Sequence, residues 1–257
     1  MKSNPLYLRL SLFSILALPV VSHAQSQEEE ESLRLSQFVV TSSSDRGYSA
    51  THAIGATRTN AAIKDIPQTV LVINQAFLED AMPGEQYEAL KYLSGISISS
   101  NVGDQVALRG YDVGSTPYTD GLPDAQNQTQ AGAEPFMYER LEVFKGPSAI
   151  VYGSHALGGV VNRVRKIADL SKKTGGNVGV LFGNHGQKSA SLDYNARLKD
   201  NFAYRVVGIW RDEDLTNGVP TRFAFFNRYN FNPSIAWRIT PKVQLKLVGE
   251  FMSEEQF

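Results

Sequence analysis

The stretch from Tyr138 to Lys166, YERLEVFKGPSAIVYGSHALGGVVNRVRK, carries more fold information than any other part of the chain. In its opening strand Leu141 and Val143 point one way and Glu142 and Phe144 the other, so the strand is neither cleanly two-sided nor continuously apolar. That pattern suits a mixed sheet covered on both faces. Gly146 and Pro147 end it, because glycine admits positive φ and proline has no amide proton to donate. A second apolar run leads to a kink at Gly158-Gly159 and on into another strand. Taken alone, the stretch also fits a generic turn in an α+β protein.

Toward the C-terminus the apolar period becomes two. Lys188, Ala190, Leu192, Tyr194, Ala196 and Leu198 alternate with Gln187, Ser189, Ser191, Asp193, Asn195 and Arg197. The same split sets Tyr229, Phe231, Ile235, Trp237 and Ile239 against Asn230, Asn232, Ser234, Ala236 and Arg238. It separates Val243, Leu245, Leu247 and Phe251 from Lys242, Gln244, Lys246 and Glu250. With 177–182 and 202–211 this makes about five antiparallel strands, several near the length of a tilted membrane-crossing strand. Connections that are short at Lys199-Asp200 and Thr240-Pro241 but long from Asp212 to Asn227 match the loop asymmetry of outer-membrane barrels. Tyr194, Trp210, Tyr229 and Trp237 are candidates for interfacial girdles. A soluble β-sandwich alternates in the same way, so periodicity alone leaves both readings open.

Toward the N-terminus, Met1 to Ala24 has Lys2 and Arg9, an apolar core from Leu10 to Val21 and a small-residue site at Ser22-His23-Ala24, which reads as a secretory signal peptide. The apolar core is too short to span a bilayer as a helix. Without the leader cations Lys2 and Arg9 the formal net charge of −1 becomes −3, which leaves no electrostatic footprint for nucleic acid. With zero cysteines and four histidines far apart, neither a disulfide framework nor a metal motif is expected. No catalytic constellation is visible: the glycines lack the Lys-Ser/Thr of a phosphate loop, and Ser, His and Asp show no triad order. The acidic run Glu28 to Glu31 reads as a solvated leader.

The central stretch resembles the end of the plug domain of TonB-dependent outer-membrane receptors of the ferric siderophore type. The resemblance rests on Glu139, Arg140, Leu141, Glu142, Val143, then Lys145, Gly146, Pro147, then Tyr152, Gly153, Gly158, Gly159, Val160, Val161 and Asn162. Arg163 and Arg165 depart from the family, which more often has an apolar and a small polar residue there. Asp65-Ile66-Pro67-Gln68 followed by Thr69 to Ile73 matches the family's Pro-Gln strand entry; Asn74 is placed to cap a short helix through Leu78, and Tyr87 to Leu93 form a second. Val106 to Tyr111 and Tyr118 to Pro123 resemble two further plug strands, the second closing on Asp120-Gly121.

The resemblance implies an α+β plug with a mixed sheet and short helices, followed by the first strands of an incomplete barrel of about 22 strands. The expected organisation is a signal peptide over 1–24, a flexible leader with a TonB box over 25–60, a plug over 61–168 and the start of the transmembrane barrel over 169–257. The TonB box is expected at Leu35, Ser36, Gln37, Phe38, Val39, Val40 and Thr41, which would pair with the TonB energy-transducing complex by strand addition. The same residues also fit an ordinary first strand. Outward loops holding Asn101, Gly103, Asp112, Gly114, Ser115, Gln126, Asn127 and Gln128 are expected to touch ligand, although polar loops are also the default of any protein. Arg109, Arg140 and Lys145, if enclosed by a barrel, are expected to pair with wall carboxylates, since an unpaired buried charge is costly. The implied activity is import of a scarce ligand, a ferric siderophore first and cobalamin or a carbohydrate next, at the outer membrane among its lipids, with no enzymatic step and no cofactor. A non-transporting periplasmic plug is the remaining alternative, because five strands cannot close such a barrel and the chain reads as an N-terminal fragment.

Overall fold

The computed structural model describes residues 45, 47–55, 61–98, 105–113, 117–124, 133–146, 152, 158–183, 186–214 and 225–256. They lie in one compact unit that runs from Phe38 to Phe257. A small ladder of β1 (His52–Ala53) and β2 (Ala61–Ala62) leads to β3 (Thr69–Asn74), whose run of β-branched residues favours extended backbone. Asn74 stops the strand and caps α1 (Gln75–Ala81), its Oδ1 accepting from the Phe77 amide at 3.1 Å. The helix runs three residues past the expected Leu78 and ends on Met82 at φ 41°. Next come α2 (Gln86–Leu90) and β4 (Ile96–Ile98).

Here the chain departs from the expected strand over Val106 to Tyr111. It folds instead as β5 (Val106–Leu108) and β6 (Tyr111–Asp112), reversing at Arg109 and Gly110 with φ of 53° and 86°. Positive φ at both central residues is what a tight two-residue hairpin needs, but Arg is not a residue that signals it. The Asp120-Gly121 turn does form, with φ of 52° and 79°, between β7 (Tyr118–Thr119) and β8 (Leu122–Pro123).

The decisive stretch supplies the centre of the main mixed sheet: β9 (Tyr138–Lys145) lies between β3 and β10 (Gly159–Arg165), antiparallel to both. β10 runs parallel to β7, giving the order β3-β9-β10-β7-β8. Every residue of β9 is buried. Leu141 and Val143 join Val161, Leu78, Leu90, Val106 and Leu108 in one core. Phe144 joins Val160, Tyr118, Tyr152 and Ile66 in the other. Gly159 takes φ 141°, and a Cβ there would sit 2.2 Å from the Phe144 carbonyl oxygen, so the kink requires glycine.

A second, wholly antiparallel sheet follows, from β11 (Gly175–Phe182), β12 (Lys188–Lys199), β13 (Phe202–Asp214), β14 (Phe225–Thr240), β15 (Val243–Val248) and β16 (Phe251–Gln256). The expected strand over 243–251 is thus two pieces in one register on β14, with Val248 opposite Ser234 and Phe251 opposite Phe231. The break falls opposite Pro233, which cannot donate to the ladder; Gly249 donates to its carbonyl instead. β12 to β14 hold 12, 13 and 16 residues, enough to cross a bilayer when tilted.

This sheet is inverted relative to a soluble one. Asp193, Asn195, Arg205, Arg211, Arg228, Asn230, Asn232 and Ser234 are buried. Val178, Val180, Phe182, Tyr229, Phe231, Trp237, Ile239, Leu245 and Leu247 are exposed. The parity of β13 is hard to read because Val206 and Val207 are both apolar, yet Val207 and Ile209 turn inward and complete the first core. Trp210 faces Tyr229 near the long connection, and Trp237 faces Phe202 near the tight turns. The eight residue steps from one level to the other span about 26 Å along the strand, or about 20 Å across a layer for a tilt of about 40°. Tyr194 pairs with Val206, midway between them, and so does not belong to either girdle.

Candidate functional site

The buried carboxylate of Glu142 organises the first candidate site. Its oxygens accept the amides of Ile54 at 3.0 Å and Gly55 at 2.8 Å, face Arg140 Nε at 3.1 Å and receive Asn162 Nδ2 at 3.3 Å. Tyr152 donates its hydroxyl to the Gly55 carbonyl at 2.6 Å, and Asn162 Oδ1 accepts from the Gly121 amide at 2.8 Å. The motif residues Glu142 and Tyr152 therefore converge on one short segment, 54–55, and fix it to the centre of the mixed sheet, with Asn162 holding the Glu142 carboxylate.

The second site is the seam between the two sheets. Arg205 holds Asp193 in a two-pronged contact at 2.7 and 2.8 Å and reaches Glu139 at 3.1 Å. Lys172 adds a 2.7 Å contact to Glu139, and Lys166 lies 3.3 Å from Asp193 and over the Phe136 ring at 4.1 Å. Nearer the long connection, Arg211 and Arg228 are neighbours across the β13–β14 ladder, an arrangement that repels unless carboxylates intervene. Glu134 supplies one, 3.0 Å from Arg211 and 3.7 Å from Arg228. Arg228 also meets Glu85 at 2.9 Å and Glu254 at 2.7 Å. Arg165 pairs with Asp120 at 2.7 Å and with Glu250 at 3.2 Å, and Arg163 hydrogen-bonds Gln86, so both unusual arginines of β10 have partners. Backbone bonds add to the seam, with Ala168 donating to Ser234 Oγ and Asp169 to Asn195 Oδ1.

The environment splits the titration of the two glutamates. Burial pushes Glu134 up, and Arg211 and Arg228 only partly offset it. Burial also opposes ionisation of Glu139, but Lys172 and Arg205 outweigh it and hold that carboxyl below its ordinary value. Burial lowers Lys166, with Asp193 pulling the other way.

Of the expected site residues, Leu35, Ser36, Gln37, Phe38, Val39, Val40 and Thr41 lie outside the described residues, as do Asn101, Gly103, Gly114, Ser115, Gln126, Asn127 and Gln128. Asp112 is in β6, on the surface. The three cations expected to pair with carboxylates of a barrel wall make other contacts among the described residues. Arg140 stays within the mixed sheet on Glu142 and donates to the His52 carbonyl at 3.2 Å. Lys145 donates to the carbonyl and hydroxyl of Ser94, and burial and then Arg109 hold its amine below its ordinary value. Arg109 occupies the β5–β6 turn beside Gly146. Among the described residues most ion pairs across the seam have the opposite polarity, with carboxylates Glu85, Glu134 and Glu139 on the mixed-sheet side and arginines Arg205, Arg211 and Arg228 on the strands. The signal was present in parity: Arg228 falls on the same face as Asn230, Asn232 and Ser234, and Arg211 on that of Arg205.

Residues 62–160 match the TonB-dependent Receptor Plug Domain family. The chain is 30% identical over 211 residues to a ferrioxamine receptor of Yersinia enterocolitica, covering 78% of this chain and 29% of that protein. It is 24% identical to the ferrichrome outer membrane transporter/phage receptor of Escherichia coli K12, over 95% of this chain and 34% of the relative. The chain thus spans about a third or less of the curated relatives it matches. Among solved structures, the closed form of the ferric-catecholate import receptor Fiu from E. coli K12 superposes with a TM-score of 0.73 at 22% identity, covering 82% of this chain and 29% of that one. The siderophore receptor PiuA from Acinetobacter baumannii gives 0.70 at 23% identity, covering 80% of this chain and 29% of that one.

Proposed function

Because the chain carries the plug domain of the TonB-dependent receptors and belongs to that family, we propose that it forms the plug and first wall strands of an outer-membrane importer of ferric siderophores. The observation that carries this reading is the inverted sheet: its polar face is buried on the plug through ion pairs while its apolar face is bare. An exposed apolar band of that size is a liability in water and the requirement for a barrel wall in lipid.

In this reading residues 1–24 direct export and 169–257 begin a barrel of about 22 strands around the plug of 61–168. Residues 35–41 are the TonB box, and the Glu142 site fixes the chain that follows it, so that a pull on the box is delivered to the centre of the sheet. The loop residues Asn101, Gly103, Asp112, Gly114, Ser115, Gln126, Asn127 and Gln128 contribute to ligand contact. Hydroxamate chelates are the first class to test, since the ferrioxamine receptor is a 30% identical relative.

The experiment is a binding competition on outer membranes carrying the receptor. Ferrioxamine B loaded with radioactive iron is displaced by ferrichrome, a ferric catecholate, cobalamin or maltooligosaccharide. Displacement by ferric chelates alone supports the proposal, whereas binding of cobalamin or sugar without iron-chelate binding overturns it.

A further inference from the structure

The plug does not meet the wall evenly. Against β13 and β14 it is held by Arg205, Arg211, Arg228 and Ser234. Against β11 and the start of β12 a cavity of about 590 Å³ separates them, between the α1 residues Leu78, Glu79 and Met82 and the wall. The wall on this side presents Asn177, Gly179, Ser189 and Ser191. Their positions share a face: Gly179 is opposite Ser191, which is opposite the inward Ile209. These side chains are small and uncharged, and with the apolar Val178, Val180, Leu181 and Phe182 of β11 they complete a lining that carries no charge to anchor the plug there. The volume falls within the range of roughly 300–1,000 Å³ in which drug-sized molecules are bound.

A charged pair stands at each end of the cavity. Toward the long connection it is bounded by Glu134 and Arg211, and toward the tight turns by Lys166 and Asp193. Arg205 grips Asp193 independently of Lys166, so the lower pair can part by movement of the plug's Lys166 while the wall carboxylate stays held.

We propose that the cleft between α1 and the inner face of β11 and β12 is the ligand's passage past the plug, with Lys166 and Asp193 as its inner gate. The plug then tilts on its ion-paired seam with β13 and β14 and is not withdrawn as a body. This inference rests on the importer reading above.

The test attaches groups of two sizes to one cleft position in the complete receptor. Ser191→Cys is labelled with a methylthio group or with fluorescein maleimide in a receptor otherwise free of cysteine, as this chain is. Leu192→Cys, one residue away on the exposed face, is the control. Surface binding and energised uptake of iron-loaded ferrioxamine B are then measured. Bulky label at Ser191→Cys is expected to leave binding within about twofold and to cut uptake by about tenfold or more, equivalent to about 1.4 kcal/mol of barrier. The methylthio group and the labelled Leu192→Cys should leave uptake near that of the unlabelled receptor. Normal uptake with the bulky label in place overturns the passage, as does failure of Ser191→Cys to react or loss of binding together with uptake. If the unaltered receptor neither binds nor imports the chelate, the importer reading fails first and the passage falls with it.

Discussion

Replacing Glu142 by alanine should release the segment 54–55 without disturbing the rest of the mixed sheet. The substitution removes the acceptor of two short backbone hydrogen bonds, from Ile54 at 3.0 Å and Gly55 at 2.8 Å, and the counter-charge of a buried Arg140. Hydrogen bonds to a charged group contribute about 1.5–3 kcal/mol each, and stranding one member of a buried ion pair costs about 3–5 kcal/mol. These losses overlap, because Arg140 can turn wholly to the His52 carbonyl it already meets, so the local cost is taken as about 3–5 kcal/mol. At about 1.4 kcal/mol per tenfold, opening of the segment becomes roughly a hundredfold to several thousandfold more frequent. Amide hydrogen exchange of the purified receptor in detergent, followed on a peptide spanning 48–55, reads this directly. Glu142→Gln keeps the shape and one acceptor and should lie between the two. Exchange of that peptide within about threefold of the unaltered protein would refute the role given to Glu142.

Three further expectations follow from the seam and the exposed face. Arg228→Met leaves Glu85, Glu134 and Glu254 crowded together without their shared cation, a cost of about 3–5 kcal/mol. The plug should then become sensitive to trypsin at a lower urea concentration, and an unshifted midpoint contradicts the assignment. For Glu139, whose native pKa is depressed, ionisation stabilises the fold above the ordinary carboxylate value, and that contribution is lost as pH falls through the depressed one. Glu139→Gln should therefore melt below the unaltered receptor at neutral pH, with the gap closing under acid conditions; a gap that is constant with pH opposes this. Val206→Arg, on the outer face midway between the two aromatic levels, should cost about 2–4 kcal/mol of assembly in a bilayer. Heat-modifiable gel migration measures it, and full assembly of the variant argues against a lipid-facing surface.

What could be read from the sequence was set by distance along the chain. The Gly-Pro stop, the Gly158-Gly159 kink, the Asn74 cap and the alternation of β12 and β14 depend on residues within a few positions of one another. The Arg109-Gly110 reversal was missed because arginine in a left-handed conformation has no compositional mark. β13 hid its parity behind adjacent valines, since its inner face meets the plug's apolar core and is apolar there like its outer face. Parity set the arginines of the strands on the polar face, but their partners across the seam were not legible. Arginine on the strands and glutamate on the plug are joined across 66 to 77 residues in Arg205–Glu139 and Arg211–Glu134, and no local pattern records such a pairing. Glu142 stood inside the recognised motif, yet its role emerged only once Ile54 and Gly55 were seen to lie 88 and 87 residues away at its carboxylate.

The most direct test of the importer account is uptake of iron-loaded ferrioxamine B by cells whose outer membrane holds the receptor with and without residues 35–41. The account predicts that both forms bind the chelate at the surface and that only the intact one accumulates iron. Equal accumulation by both would contradict it, because passage would then need no pull on the plug.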